Sequence, residues 1–149
     1  MTKTYQPVKD SEINYLVDTG PLVATLNKND TAREWSVNTL RALGETFHTT
    51  DAVITEVCYQ LRNGRHALPS LFDAIRVGKI NVCAIFPEAS ERVNVLMQKY
   101  PQMDFADASL VALSEQHPHA RLVTIDRRDF TVYRRHDGSL VPCIMPQVY

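Results

Sequence analysis

Residues 103–130, MDFADASLVALSEQHPHARLVTIDRRDF, decide how the chain is read. Two aspartates, Asp104 and Asp107, open a helical pattern. A turn around Pro118 follows, then RLVTI (121–125) as a buried strand, and then two more aspartates, Asp126 and Asp129. Four aspartates so placed would repel one another strongly if the fold brought them together. A fold that gathers them must separate, protonate or neutralise them, and a divalent cation is the neutralising partner to test for.

Outward from this stretch, INYLV (13–17) is a short apolar run that stops at Asp18-Thr19-Gly20-Pro21. Proline is tolerated in a first helical turn, where its missing N–H would have had no partner, so a helix can begin at Pro21 and run to Leu26. Asp18 thus stands at a strand-to-helix switch. Asn29 or Asp30 is placed to cap a helix over 31–43, with Ala32, Trp35, Thr39 and Ala42 on one side and Gly44 as its stop. Residues 46–49 read as a weak strand. Thr50 or Asp51 caps the next helix, DAVITEVCYQLRNG, in which Val53, Val57 and Leu61 recur at helical spacing and Glu56 lies beside that stripe. A helix over 68–77 closed by Gly78, a strand INVCAIF (80–86) and an amphipathic helix over 88–100 through Val93, Leu96 and Met97 complete the middle, with Pro101 as a breaker. The tail SLVPCIMP adds a last strand, and Pro142 and Pro146 suit it to a sheet edge.

Short apolar strands alternating with helical crossovers predict one α/β domain with a mainly parallel sheet over 13–149, behind a polar extension over 1–12. At 149 residues a single core can bury roughly two-thirds of the unfolded surface. The 44% hydrophobic and 22% charged residues suit an ordinary soluble domain. There is no 18-residue apolar run, and the polar start MTKTYQPVKDSE lacks the apolar core of a signal peptide, so the expected compartment is the cytoplasm. Cys58, Cys83 and Cys143 lack CxxC spacing and are expected to be buried free thiols. The net charge of −1 shows no long basic tract, although arginines gather at Arg127, Arg128, Arg134 and Arg135. A nuclease can be nearly neutral when carboxylates hold cations at its centre and basic residues meet substrate at its rim. The five histidines show no ligand spacing and are assigned no role.

In parallel sheets ligands bind beyond the carboxyl ends of the strands, and Asp18 and Asp126 both fall there. Asp107 shares a helical face with Leu110 and Val111 and so points inward, where a carboxylate needs a cationic partner. Asp104 is divided between helix cap and ligand. Asp129 reads as the cap of a short helix around Phe130.

The pieces YLVDTGPLVA, DAVITEVCYQL, MDFADASLVAL and RLVTIDRRDF, in that order, resemble the PIN-domain nuclease family over residues 15–130. The resemblance implies an α/β/α sandwich with an acidic pocket at the carboxyl edge of its sheet, holding Mg²⁺ or Mn²⁺. By motif position, Asp18, Glu56, Asp107 and Asp126 match the family's acidic metal-binding set, with Asp104 as an additional catalytic ligand. Gly20 departs from the pattern, since many members carry Ser or Thr there; Thr19 and Thr124 are the hydroxyls that could substitute. The family mostly cuts RNA, and many bacterial members are VapC-type toxins paired with an antitoxin. The resemblance therefore implies a metal-dependent endoribonuclease with an RNA substrate and a cognate antitoxin. Arg127 and Arg128, and Arg62 and Arg65 after the Glu56 helix, are candidate phosphate contacts. Apolar residues at 68–72 could serve a homodimer, an antitoxin groove or core packing.

Three rivals stand beside this reading. Asp18-Thr19-Gly20 matches the aspartic-protease triplet, but those enzymes are built almost wholly of strands. A HAD-type phosphatase would want a second aspartate where Gly20 stands. The non-enzyme alternative is a catalytically inactive PIN-fold scaffold or RNA-binding module acting through a protein partner.

Overall fold

The computed structural model describes residues 13–44 and 46–148; the expected extension over 1–12 lies outside the described residues. Five strands, β1 (Tyr15–Val17), β2 (Phe47–Thr50), β3 (Ile80–Cys83), β4 (Arg121–Val123) and β5 (Cys143–Ile144), form one sheet in the order β3-β2-β1-β4-β5. Every pairing is parallel, with Leu16 opposite both His48 and Leu122. Parallel strands need helical crossovers. These are supplied by α1 (Thr19–Leu26), α2 (Arg33–Leu43), α3 (Asp51–Gln60), α4 (Leu68–Arg76), α5 (Ser90–Lys99), α6 (Phe105–Gln116) and the single-turn α7 (Arg127–Phe130). The result is the expected α/β sandwich around a parallel sheet. No helix among the described residues is long and apolar enough to cross a membrane.

The core follows the expected apolar stripes. Val53 and Val57 of α3 and Leu110 and Val111 of α6 are fully buried, as are Leu16 and Val17 of β1 and Leu122 and Val123 of β4. Helix α6 is the most enclosed of the helices, with eight consecutive-range positions from Ala106 to Ser114, all but Asp107, buried. Parallel strands covered on both faces become continuous apolar runs, which is why β1 and β4 were legible as strands. Thr50 caps α3 by accepting the Val53 N–H, and Gly44 ends α2 with φ 61°, a conformation that costs glycine little.

Several boundaries differ from expectation for physical reasons. The strand read over 80–86 stops at Cys83, because its partner β2 ends at Thr50 and offers no further ladder. Helix α2 begins at Arg33 rather than at 31. Asp30 caps a preceding turn by accepting the Ala32 N–H at 2.8 Å. The face of α2 turned inward carries Trp35, Ser36, Leu40 and Leu43, while Ala42 is exposed. The three cysteines are free thiols but only partly buried. The last strand is an edge strand, as its prolines required, and is only two residues long.

Candidate active site

Chain order in the sheet reverses direction at β1: β2 and β3 lie on one side of it, β4 and β5 on the other. Crossovers that leave in opposite directions open a crevice at the carboxyl ends of the two central strands. Asp18 follows β1 and Asp126 lies three residues beyond β4, so both acids border that crevice. Asp18 is 6% exposed. Its Oδ1 accepts the Thr19 N–H and its Oδ2 accepts the Thr124 hydroxyl, each at 2.7 Å. Thr124 Oγ1 in turn accepts the Asp126 N–H at 3.0 Å, so one buried hydroxyl couples the two acids at the strand ends. Burial pushes the Asp18 carboxyl up to about 6 despite both hydrogen bonds, with Asp126 and Asp104 adding repulsion.

Helix α6 delivers the next pair. Asp104 is its N-cap, Oδ1 accepting the Asp107 N–H at 2.8 Å, and its charge also reaches Asp18, Asp107 and Asp126. Asp107 is half-buried, and its Oδ2 accepts the Tyr133 hydroxyl at 2.8 Å. Burial pushes Asp107 up to about 8, the Tyr133 bond opposes this, and Asp104, Asp18 and Asp126 reinforce it. Burial and Asp107 itself drive the Tyr133 phenol upward, so it remains the donor. Asp126, also raised chiefly by burial, caps α7 by accepting the Asp129 N–H at 3.0 Å.

The assignment of Asp129 therefore changes. The cap of α7 is Asp126, and Asp129 sits in the first turn with its carboxylate turned to the same place as the others. Oxygens of Asp107, Asp126 and Asp129 all lie within 4.8 Å of one another. The signal for this was present: Asp126-x-x-Asp129 has the spacing of a cap and a first-turn acid, as Asp104-x-x-Asp107 does. Tyr133 carried no such signal, because its role depends on packing by the segment after α7.

Glu56 is half-buried on α3, which packs against α1 and α6, but it stands outside the three-carboxylate group. Arg127 donates to Pro146 O at 2.7 Å, and Arg128 is exposed on the same turn. Arg62 stacks on the Tyr59 ring at 4.2 Å, and Arg65 lies in a separate 3-10 turn, so both sit beyond the end of α3 rather than next to Asp126. Among the described residues the ion pairs are Arg76–Asp73, Arg92–Glu115 and His136–Glu115. None involves the aspartates of the crevice. A concentration of hard carboxylate oxygens, paired with no cation among the described residues, has the chemistry of a site for a hard divalent ion.

A PIN-domain family model matches residues 15–135. No curated protein matches the chain by sequence. Among solved structures it is similar to VapC20 of Mycobacterium tuberculosis, described as a sarcin-ricin loop cleaving toxin, with TM-score 0.64 and 17% identity, covering 73% of this chain and 87% of that one. It is also similar to a toxin-antitoxin complex from Klebsiella pneumoniae (TM-score 0.62, 20% identity, 80% and 92% covered). A third is VapBC2 of Rickettsia felis bound to a promoter DNA fragment (TM-score 0.63, 14% identity, 91% and 100% covered). At these identities the likeness shows the fold.

Proposed function

The chain belongs to the PIN-domain family of nucleases, and on that premise we propose that it is an Mg²⁺- or Mn²⁺-dependent endoribonuclease, the toxin of a toxin-antitoxin pair. The observation that carries the proposal is the crevice itself: Asp107, Asp126 and Asp129 converge within 4.8 Å, Asp18 lies buried beside them, and no ion pair among the described residues answers their charge.

The donor set fits the ion, being all carboxylate oxygen. Asp107, Asp126 and Asp129 would hold it, with Asp18 beside them and Asp104 bordering. When bound, such an ion acidifies water and offsets the negative charge of a phosphodiester. The chain's own residues do the rest. Thr124 fixes Asp18 relative to Asp126, the Asp104 cap fixes the start of α6, and the buried walls keep these carboxylates poorly solvated until a cation is present. Arg128, exposed two residues after Asp126, would meet a neighbouring phosphate, with the positive charge of Arg127 beside it.

The toxin assignment is supported by likeness to VapC20, to VapBC2 and to a toxin-antitoxin complex from Klebsiella pneumoniae. Tyr59 of α3 and Phe72 of α4, 61% and 49% exposed, offer apolar surface for a protein partner. The test is cleavage of single-stranded RNA by the purified chain with Mn²⁺, with excess EDTA, and by Asp126→Asn. Cleavage only by the unaltered protein with Mn²⁺ is the expected result. Equal cleavage in EDTA, or by the variant, removes the proposal.

A further inference from the structure

Tyr133 lies beyond every motif that identified the site, yet it touches two arms of it. Its hydroxyl donates to Asp107 Oδ2 at 2.8 Å, and its own backbone N–H donates to Asp129 O at 3.0 Å. Asp107 comes from α6 and Asp129 from α7, so this residue spans the two elements that must be spaced correctly for their carboxylates to converge. We infer that Tyr133 is a positioning residue, holding Asp107 and Asp129 at the separation a divalent cation requires.

The side chain is built to be rigid. It is fully buried, with its ring set edge-on to Phe130 (5.4 Å, 86°) and to Tyr100 (5.1 Å, 67°). The next residue is pinned as well, because the Arg134 N–H donates to the Tyr100 hydroxyl at 3.0 Å. A buried phenol has one proton to give, and here it goes to Asp107. That bond occupies one carboxylate oxygen, fixes the plane of the group and leaves the other oxygen as a ligand. Partners that orient metal ligands in this way are worth about 10- to 100-fold in metal affinity.

The inference rests on the proposed metal-dependent function, and the experiment separates the two. Tyr133→Phe keeps both ring contacts and removes only the hydroxyl. Mn²⁺ affinity is measured by titrated thermal shift and by the electron paramagnetic resonance signal of free Mn²⁺, alongside RNA cleavage as a function of Mn²⁺. The expected result is a Kd for Mn²⁺ raised about 10- to 100-fold, an unfolding temperature in EDTA close to that of the unaltered protein, and cleavage largely restored by excess Mn²⁺. Tyr100→Phe, which removes the neighbouring phenol and its bond from the Arg134 N–H but no bond to an aspartate, should change the affinity far less. An unchanged Kd in Tyr133→Phe overturns the inference while leaving the proposed function standing, and so does an equal loss in both variants, which marks general loosening. If the unaltered chain binds no Mn²⁺, the proposed function falls first and the inference falls with it.

Discussion

Replacing Asp107 with Asn should make the metal-free protein more stable and the metal-loaded protein less so. Asn keeps the shape of the side chain and an oxygen to accept from Tyr133, but it cannot ionise. In the unaltered protein the Asp107 carboxyl moves from an ordinary 3.8 to about 8, chiefly through burial. Because the folded value is the higher one, the fold favours the protonated acid: its contribution is whole below pH 3.8 and is lost as pH rises through 8. At 1.36 kcal/mol per pH unit that range corresponds to on the order of 5 kcal/mol. Solvent still reaches the partly buried group and screens it, so about half of that, ~2–3 kcal/mol, is the reasonable expectation. For a domain of this size each kcal/mol moves the midpoint by about 2–4 °C. In EDTA at pH 9, Asp107→Asn should therefore melt on the order of 5–10 °C above the unaltered protein, and at pH 5 only slightly above it. Mn²⁺ at 100 times its Kd adds about 2.7 kcal/mol to the protein that binds it and far less to the variant, closing or reversing the gap. Scanning fluorimetry at pH 5, 7 and 9, with EDTA and with Mn²⁺, reads all of this. A variant that melts below the unaltered protein at pH 9 in EDTA, or that gains as much from Mn²⁺, would refute the reasoning.

Thr124→Val removes the hydroxyl that joins Asp18 to the Asp126 backbone and leaves a buried carboxylate oxygen unpaired. Stability should fall by about 1–3 kcal/mol and Mn²⁺ affinity with it, whereas Thr124→Ser should retain both; calorimetry of the three proteins decides. At Gly20 the space a side chain would need is already taken: a Cβ there would stand 2.6 Å from Ile125 Cγ1 and 2.8 Å from its Cδ1. Gly20→Ser should therefore cost about 1–3 kcal/mol, and adding Ile125→Ala should recover part of it. Additive losses in the double variant would show that the Ile125 contact is not the cause.

What could be read from the chain and what could not divide along one physical line. Interactions local in sequence left marks. Strands β1 and β4, buried on both faces, appear as apolar runs ending near acids, and Asp104-x-x-Asp107 announces a helix start. Features set by a distant partner left none. The length of β3 is dictated by β2, the inward face of α2 by what packs beneath it, and the place of Tyr133 by α6 and two aromatic rings. Asp129 lies between these cases, since its spacing from Asp126 was visible and only the direction of the cap was misread.

The same division accounts for how the crevice is held. Three of its acids are tied locally. Asp104 accepts from Asp107 N–H, Asp126 from Asp129 N–H and Asp18 from Thr19 N–H, bonds that spend one oxygen on a helix start and satisfy orphan donors there. A carboxylate used in this way is stabilised at the helix end whether or not a cation is bound. The long-range ties run from Thr124 to the second oxygen of Asp18 and from Tyr133 to Asp107, and they set the groups relative to one another. Local bonds thus let an acidic crevice fold without a cation, and long-range bonds give it a shape that a cation can use. Loss of a local bond should therefore appear as lost stability in EDTA with little change in affinity, and loss of a long-range bond to a carboxylate as lost affinity for metal, with a stability cost besides where the acid is as buried as Asp18.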